Sequence, residues 1–207
     1  FSETVPRSIQ VVTDSNATGD KLEKFYGLSK ERLTVLGLLP RVLPPSTNTH
    51  LVPQVPYVIY PAMKWAHKNH LVLLRALKLL ETRGVNVSLV LTGSDKGFGT
   101  KISDTARHLG LESKVLDFGF VDQRDLALLI TNAQALVMPS KLGPTSLPPL
   151  QSVALGTRAI VSDAHKFDED FGEMIQVCSK DSAEEWAQAI ESALGKKGDL
   201  PQELNVD

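Results

Sequence analysis

Two short runs carry the side chains best suited to holding an anion. Lys64-Trp65-Ala66-His67-Lys68-Asn69-His70 places lysines, histidines and an amide between the end of an expected strand and the start of an expected helix. A helix N-terminus offers free backbone N–H groups and the positive end of the helix dipole, and Lys64 and Lys68 beside it suit a diphosphate. Ser140-Lys141-Leu142-Gly143-Pro144-Thr145-Ser146-Leu147-Pro148-Pro149-Leu150-Gln151 has the same design. Gly143 permits close backbone approach, Thr145 and Ser146 bring hydroxyls, and Pro148 and Pro149 suit a first helical turn. Either run alone is also an ordinary polar turn with an N-cap. Two of them at the ends of two strands in one sheet make the stronger case for an anion site.

Other candidates are weaker. The turn Gly93-Ser94-Asp95-Lys96-Gly97-Phe98-Gly99-Thr100 follows a strand, but its spacing is neither G-x-x-x-x-G-K-S/T nor G-x-G-x-x-G. It reads equally as the lining of a site and as a flexible connection. Asp168-Glu169-Asp170 has the D-x-D spacing of some cation-holding transferases, and reads first as a solvated acidic turn. His50, His67, His70, His108 and His165 form no H-x-x-x-H pair, so the sequence gives no metalloenzyme signature. Cys178, the single cysteine, lies in an apolar run and reads as a core residue rather than a nucleophile.

The elements that must position these residues alternate. Strands are expected at 9–13, 33–36, 57–60, 87–91, 115–118, 135–138, 159–161 and 174–177. Helices are expected from Ser15 as N-cap to Gly27, and at 70–81, 100–109, 123–132, 147–155 and 183–194. Short apolar strands alternating with helices imply βαβ units and a doubly wound parallel sheet covered on both faces. Five prolines between Pro40 and Pro56 mark a linker or irregular wrap. The tail from Gly195 is polar.

The 207 residues are 42% hydrophobic and 22% charged, which excludes disordered and collagen-like classes. A formal net charge of -2 gives no bulk attraction to nucleic acid. No apolar run approaches the ~20 residues of a membrane span. One cysteine fits a reducing compartment. The chain starts at Phe1, without Met and without a signal-peptide pattern, and so reads as a piece of a longer protein.

Five motifs occur in order: Trp65-x-His67-Lys68-Asn69-His70, Leu91-Thr92-Gly93-Ser94, Phe118-Gly119-Phe120-Val121, Val137-Met138-Pro139-Ser140, and Gly143 through Leu150. Together they resemble the donor-binding C-terminal domain of a GT-B glycosyltransferase, of the retaining family 4 often labelled glycosyl transferases group 1. The resemblance implies that residues 1–40 end an N-terminal acceptor-side domain and 41–56 form a linker. Residues 57–194 would be a Rossmann-like nucleotide-sugar domain, and 195–207 a polar tail. It implies a UDP- or GDP-sugar donor, a hydroxyl acceptor, polysaccharide synthesis, and no metal or other cofactor. A cytoplasmic location would follow, with peripheral membrane association through the N-terminal domain. Lys68, Lys64, Thr145, Ser146 and Leu147 would hold the diphosphate. Gly93, Ser94, Phe120, Val121 and Gln151 would line the nucleoside. No catalytic residue is identified.

The sequence departs from the family pattern at three places. The arginine after the first strand falls at about Ala62, and Lys64 is its nearest substitute. The paired glutamates of the E-x7-E motif fall at Gly143 and Gln151. These departures motivate a second expectation, a degenerate nucleotide-sugar-binding or partner-subunit domain without catalysis.

Overall fold

A computed structural model describes residues 2–37, 40–143, 146–167 and 171–195. Six parallel strands form the main sheet: β3 (Tyr57–Pro61), β4 (Ser88–Thr92), β5 (Val115–Asp117), β6 (Ala135–Met138), β7 (Ala159–Ser162) and β8 (Ile175–Cys178). Two further strands, β1 (Val11–Thr13) and β2 (Leu33–Val35), pair parallel with Val11 opposite Leu33 and with α1 (Asn16–Tyr26) between them. The strands are short apolar runs because both faces of the main sheet are covered: β3, β4, β6 and β7 are buried along nearly their whole length.

The order across the main sheet is β5-β4-β3-β6-β7-β8. The chain winds outward from β3 through α2 (His70–Thr82) and α3 (Gly99–His108) to the β5 edge. It returns through α4 (Gln123–Asn132) to β6, then winds the other way through α5 (Leu147–Ala154). Right-handed crossovers therefore put α2 and α3 on one face and α4 and α5 on the other. The last helix, α6 (Ala183–Ala193), packs against α2. Strand order reverses between β3 and β6, and in open α/β sheets the crevice beyond the carboxyl ends at such a point is where ligands bind.

The expected alternation of strands and helices is the observed one, and the differences are local. The first strand is shorter than 9–13: Ile9 is 93% exposed and outside β1. Met174 is the buried end of a 3-10 turn and β8 starts one residue later. The stretch at 41–56 lies along α4. The Ser46 amide donates to the Arg124 carbonyl at 3.0 Å, and Ser46 Oγ donates to Asp125 Oδ1 at 2.6 Å. Leu51 and Val52 rest on the core. Cys178 is buried in that core, and burial, helped by Glu185, pushes its thiol up to about 11, so it is not a thiolate nucleophile. Residues 144–145, 168–170 and 196–207 lie outside the described residues, and with them Thr145, the D-x-D run and all of the polar tail but Gly195.

Candidate functional site at the topological switch

The first cradle leaves β3 at Pro61. The Ala62 amide donates to the Thr92 carbonyl (3.1 Å) and the Lys64 amide to the Ser94 carbonyl (3.0 Å), extending the pairing with the β4 side past the strand. A 3-10 turn, Ala66–Lys68, then brings the chain to Asn69 and into α2. Lys68 is half-buried, and loss of solvent lowers its pKa. Among the described residues its ammonium has no ion-pair partner.

Lys64 behaves differently, and the expectation that it stands beside Lys68 as a second phosphate cation is corrected. It is 3% exposed. Its Nζ donates to the Gly93 carbonyl at 2.7 Å and pairs with Asp117 Oδ1 at 2.9 Å. The ammonium braces the ends of β3, β4 and β5 from inside. His70, the last residue of the Lys64–His70 run, also turns inward. It is fully buried, with its ring 4.8 Å from that of Tyr60. Burial, with Lys64 and Lys68 adding to it against Asp117, pushes its pKa down to about 4. Its imidazole is neutral at pH 7, and neither ring nitrogen has a hydrogen-bond partner among the described residues.

The second cradle leaves β6 at Met138. Gly143 has φ 106°, a conformation that favours glycine. Ser146 occupies the N-cap of α5, but its Oγ contacts Met138 Sδ at 3.3 Å instead of capping the helix. Leu147 is the first helical residue and is 41% exposed. Pro148 and Pro149 follow and have no N–H, so of the amides that a helix start leaves free only those of Ser146 and Leu147 remain. That cradle is thinner in donors than its sequence implies.

The fold joins the cradles. The Lys141 amide donates to the His67 carbonyl at 2.9 Å. Tyr60 Oη donates to the Lys68 carbonyl at 2.8 Å and lies 3.2 Å from Ser140 Oγ. Ser162 Oγ donates to the Ser140 carbonyl at 2.5 Å and meets His165 Nδ1 at 3.1 Å. Tyr60, Ser140, Ser162 and His165 are all buried. Sequence reasoning missed this network, because Tyr60 and Ser162 lie inside apolar strands and look like core residues, and nothing local shows that Ser140, just past β6, meets them.

The N-termini of the helices divide sharply. Ser15, Asp122 and Ser182 cap α1, α4 and α6 through their side chains. At α3, Asp95 Oδ1 accepts from the amides of Gly97 (2.9 Å), Phe98 (3.1 Å) and Gly99 (2.9 Å). Those bonds, Gly99 first, hold its carboxyl below the usual range. The Gly93–Thr100 turn thus has its own carboxylate at the helix start. An aspartate followed by glycines before a helix is a cap signal that the sequence did carry. Among the described residues, α2 and α5 are the helices whose start carries neither a side-chain cap nor a carboxylate like Asp95, and they flank the switch point.

The proposed nucleoside residues spread from that point. The Gly93 amide donates to the Gly119 carbonyl at 2.6 Å, and a Cβ at 93 would lie 2.6 Å from the Ala62 carbonyl oxygen. Ser94 is exposed, Phe120 is 79% exposed and Val121 is half-buried beyond β5. Gln151 shares a groove with Gln123 of α4 and with Arg41, Val42 and Leu43 of the wrap. Its Nε2 donates to the Arg41 carbonyl at 3.2 Å.

Comparison with known proteins agrees with this fold. The chain is 24% identical over 189 residues to the O-antigen chain mannosyltransferase RfbU of Salmonella typhimurium, covering 91% of this chain and 52% of that protein. The solved glycosyltransferase of Rickettsia africae superposes with a TM-score of 0.76 at 16% identity, over 93% of this chain and 55% of that one. Anabaena HepE, solved in complex with UDP, gives 0.75 at 15%, over 90% and 54%. The chain thus spans about half the length of these proteins. The likeness in structure establishes the Rossmann-like parallel α/β fold. Residues 49–205, about three quarters of the sequence, match a single family, so this chain belongs to the glycosyl transferases group 1.

Proposed function

We propose that the chain is the donor-binding half of a two-domain, GT-B-type glycosyltransferase of family 4, which transfers a sugar from a nucleoside diphosphate to a hydroxyl with retention. The observation that carries this is Lys68: an ammonium without an ion-pair partner among the described residues, half-buried, directly before the uncapped start of α2 at the switch point. Charge builds on the diphosphate as the glycosidic bond breaks and the sugar turns oxocarbenium-like. A preorganised cation and helix amides stabilise that charge without moving. In this reading the phosphates contact Lys68, Ser146, the Leu147 amide and Thr145, and cations and helix dipoles take the part a metal would otherwise play. Lys64 acts from beneath, holding Gly93, with Ser94, Phe120, Val121 and Gln151 toward the nucleoside. HepE was solved with UDP, which supports a uridine or similar nucleotide here. The name of RfbU supports a role in polysaccharide synthesis.

Residues 1–40 belong, in the same reading, to the acceptor-side domain, 41–56 to the linker, 57–194 to the donor domain and 195–207 to the tail. A two-stranded sheet is too small to be stable alone. Ile9, Val12, Phe25 and Leu36 around it are exposed, as expected of a surface that more chain covers. The site of action would be the cytoplasm, with peripheral contact at the inner face of a membrane. No helix among the described residues is long and apolar enough to cross one.

Gly143 and Gln151 in place of glutamates favour a second reading, a donor domain that binds nucleotide-sugar without catalysis. Transfer from UDP- and GDP-sugars to mass-tagged hydroxyl acceptors separates the two. The full-length protein transfers sugar in the first reading and only binds donor in the second. This 207-residue chain alone should bind a nucleoside diphosphate without transferring; transfer by it alone would contradict the half-enzyme assignment.

A further inference from the structure

We propose that Asn69 is the positioning residue that aims Lys68 at the phosphates, an inference that rests on the reading of Lys68 above. Among the described residues Asn69 is the only non-glycine with positive φ, at φ 59° and ψ 35°. Asparagine tolerates that conformation better than most side chains, and glycine adopts it freely. The asparagine amide has partners that glycine would lack. Asn69 sits at the N-cap of α2 but does not cap it. Both Nδ2 protons go elsewhere: to the Pro139 carbonyl at 3.1 Å, at the end of β6, and to the Lys180 carbonyl at 2.7 Å, between β8 and α6.

Lys68 is thereby held from several sides. The Asn69 side chain ties the chain immediately after Lys68 to Pro139 and Lys180. Lys141 holds the carbonyl before it and Tyr60 holds its own carbonyl. The backbone of Lys68 is fixed against three separate stretches of chain, while its ammonium stays free of ion pairs among the described residues. A long flexible lysine binds a diphosphate well only if its root is fixed, because each loose rotor is entropy lost on binding. The clamp at Asn69 supplies that fixation.

The bland alternative is that Asn69 only provides a left-handed corner. Asn69→Gly separates the two, since glycine adopts the corner freely but cannot clamp. The full chain, its Asn69→Gly variant and its Lys68→Ala variant are titrated calorimetrically with UDP and with uridine. The proposal predicts that Asn69→Gly, folded by circular dichroism, binds UDP roughly five- to tenfold more weakly. Uridine affinity should stay within about twofold. Unchanged UDP affinity in Asn69→Gly beside a weakened Lys68→Ala overturns the clamp alone. An unweakened Lys68→Ala overturns the reading of Lys68 and the clamp with it. If Asn69→Gly does not fold, Asn69→Ser, too short to reach either carbonyl, takes its place under the same criteria.

Discussion

At position 64 a buried ammonium ties Gly93 to Asp117, while four residues later Lys68 has no ion-pair partner among the described residues. Composition and spacing made the two lysines look alike, because nothing local says which will turn inward; that depends on where Asp117 arrives from β5. Gln151 is a similar case. A carboxylate there would bond ribose hydroxyls more strongly than an amide does. Yet the amide donates to the Arg41 carbonyl, and a carboxylate cannot. Gln151→Glu should therefore lower unfolding stability by about 0.5–1 kcal/mol in urea titrations. If the side chain also faces ribose, the same variant should widen the affinity gap between ribo- and 2′-deoxynucleotide. An unchanged denaturation midpoint would show that the wrap does not depend on position 151.

At the scale of elements, helix limits were legible wherever caps and stops were local. Ser15 and Gly27 bracket α1 as read, with the Ser15 hydroxyl on the Thr18 amide and Gly27 left-handed at φ 63°. The anion character of helix starts was less legible, because it turns on which start keeps its amides free. Asp95 fills that of α3, and two prolines thin that of α5. Close approaches were hidden as well. Gly93 is held at φ 105° with backbone of Ala62 and Met63 where a Cβ would go, whereas Gly97, at φ 92°, has open space. Gly93→Ala should cost about 3 kcal/mol and Gly97→Ala about 1 kcal/mol, since the first adds a backbone clash to the conformational strain. Chemical denaturation of the two variants measures the contrast, and equal costs would mean that the β3 and β4 ends are not locked together.

Across the whole molecule, the doubly wound sheet was readable because each strand is a short apolar run and each helix has one apolar face. The position of the switch point was not, since strand order depends on pairings distant in sequence, such as Ile59 with Leu136. Burial at that point has a consequence for pH. His70 titrates near 4 when folded and near 6.5 when unfolded, so between these values the unfolded chain binds more protons. His165 is shifted in the same direction, burial being the main cause. Stability should therefore be fully present above about pH 6.5 and fall as pH drops toward 4, His70 alone accounting for on the order of 3 kcal/mol. In His70→Phe, which keeps a ring against Tyr60, the slope over that range should flatten. A slope unchanged by the substitution would place the acid sensitivity elsewhere.

The central claim is that this chain recognises a diphosphate through Lys68 at the reversal of strand order. Its most direct test is calorimetric titration of the chain and of Lys68→Ala with uridine, UMP and UDP, and with GDP and ADP to identify the base. The account predicts that affinity rises from nucleoside to diphosphate, and that Lys68→Ala removes about tenfold or more from the diphosphate alone. No binding of any nucleoside diphosphate, or equal losses for uridine and UDP in the variant, would contradict it.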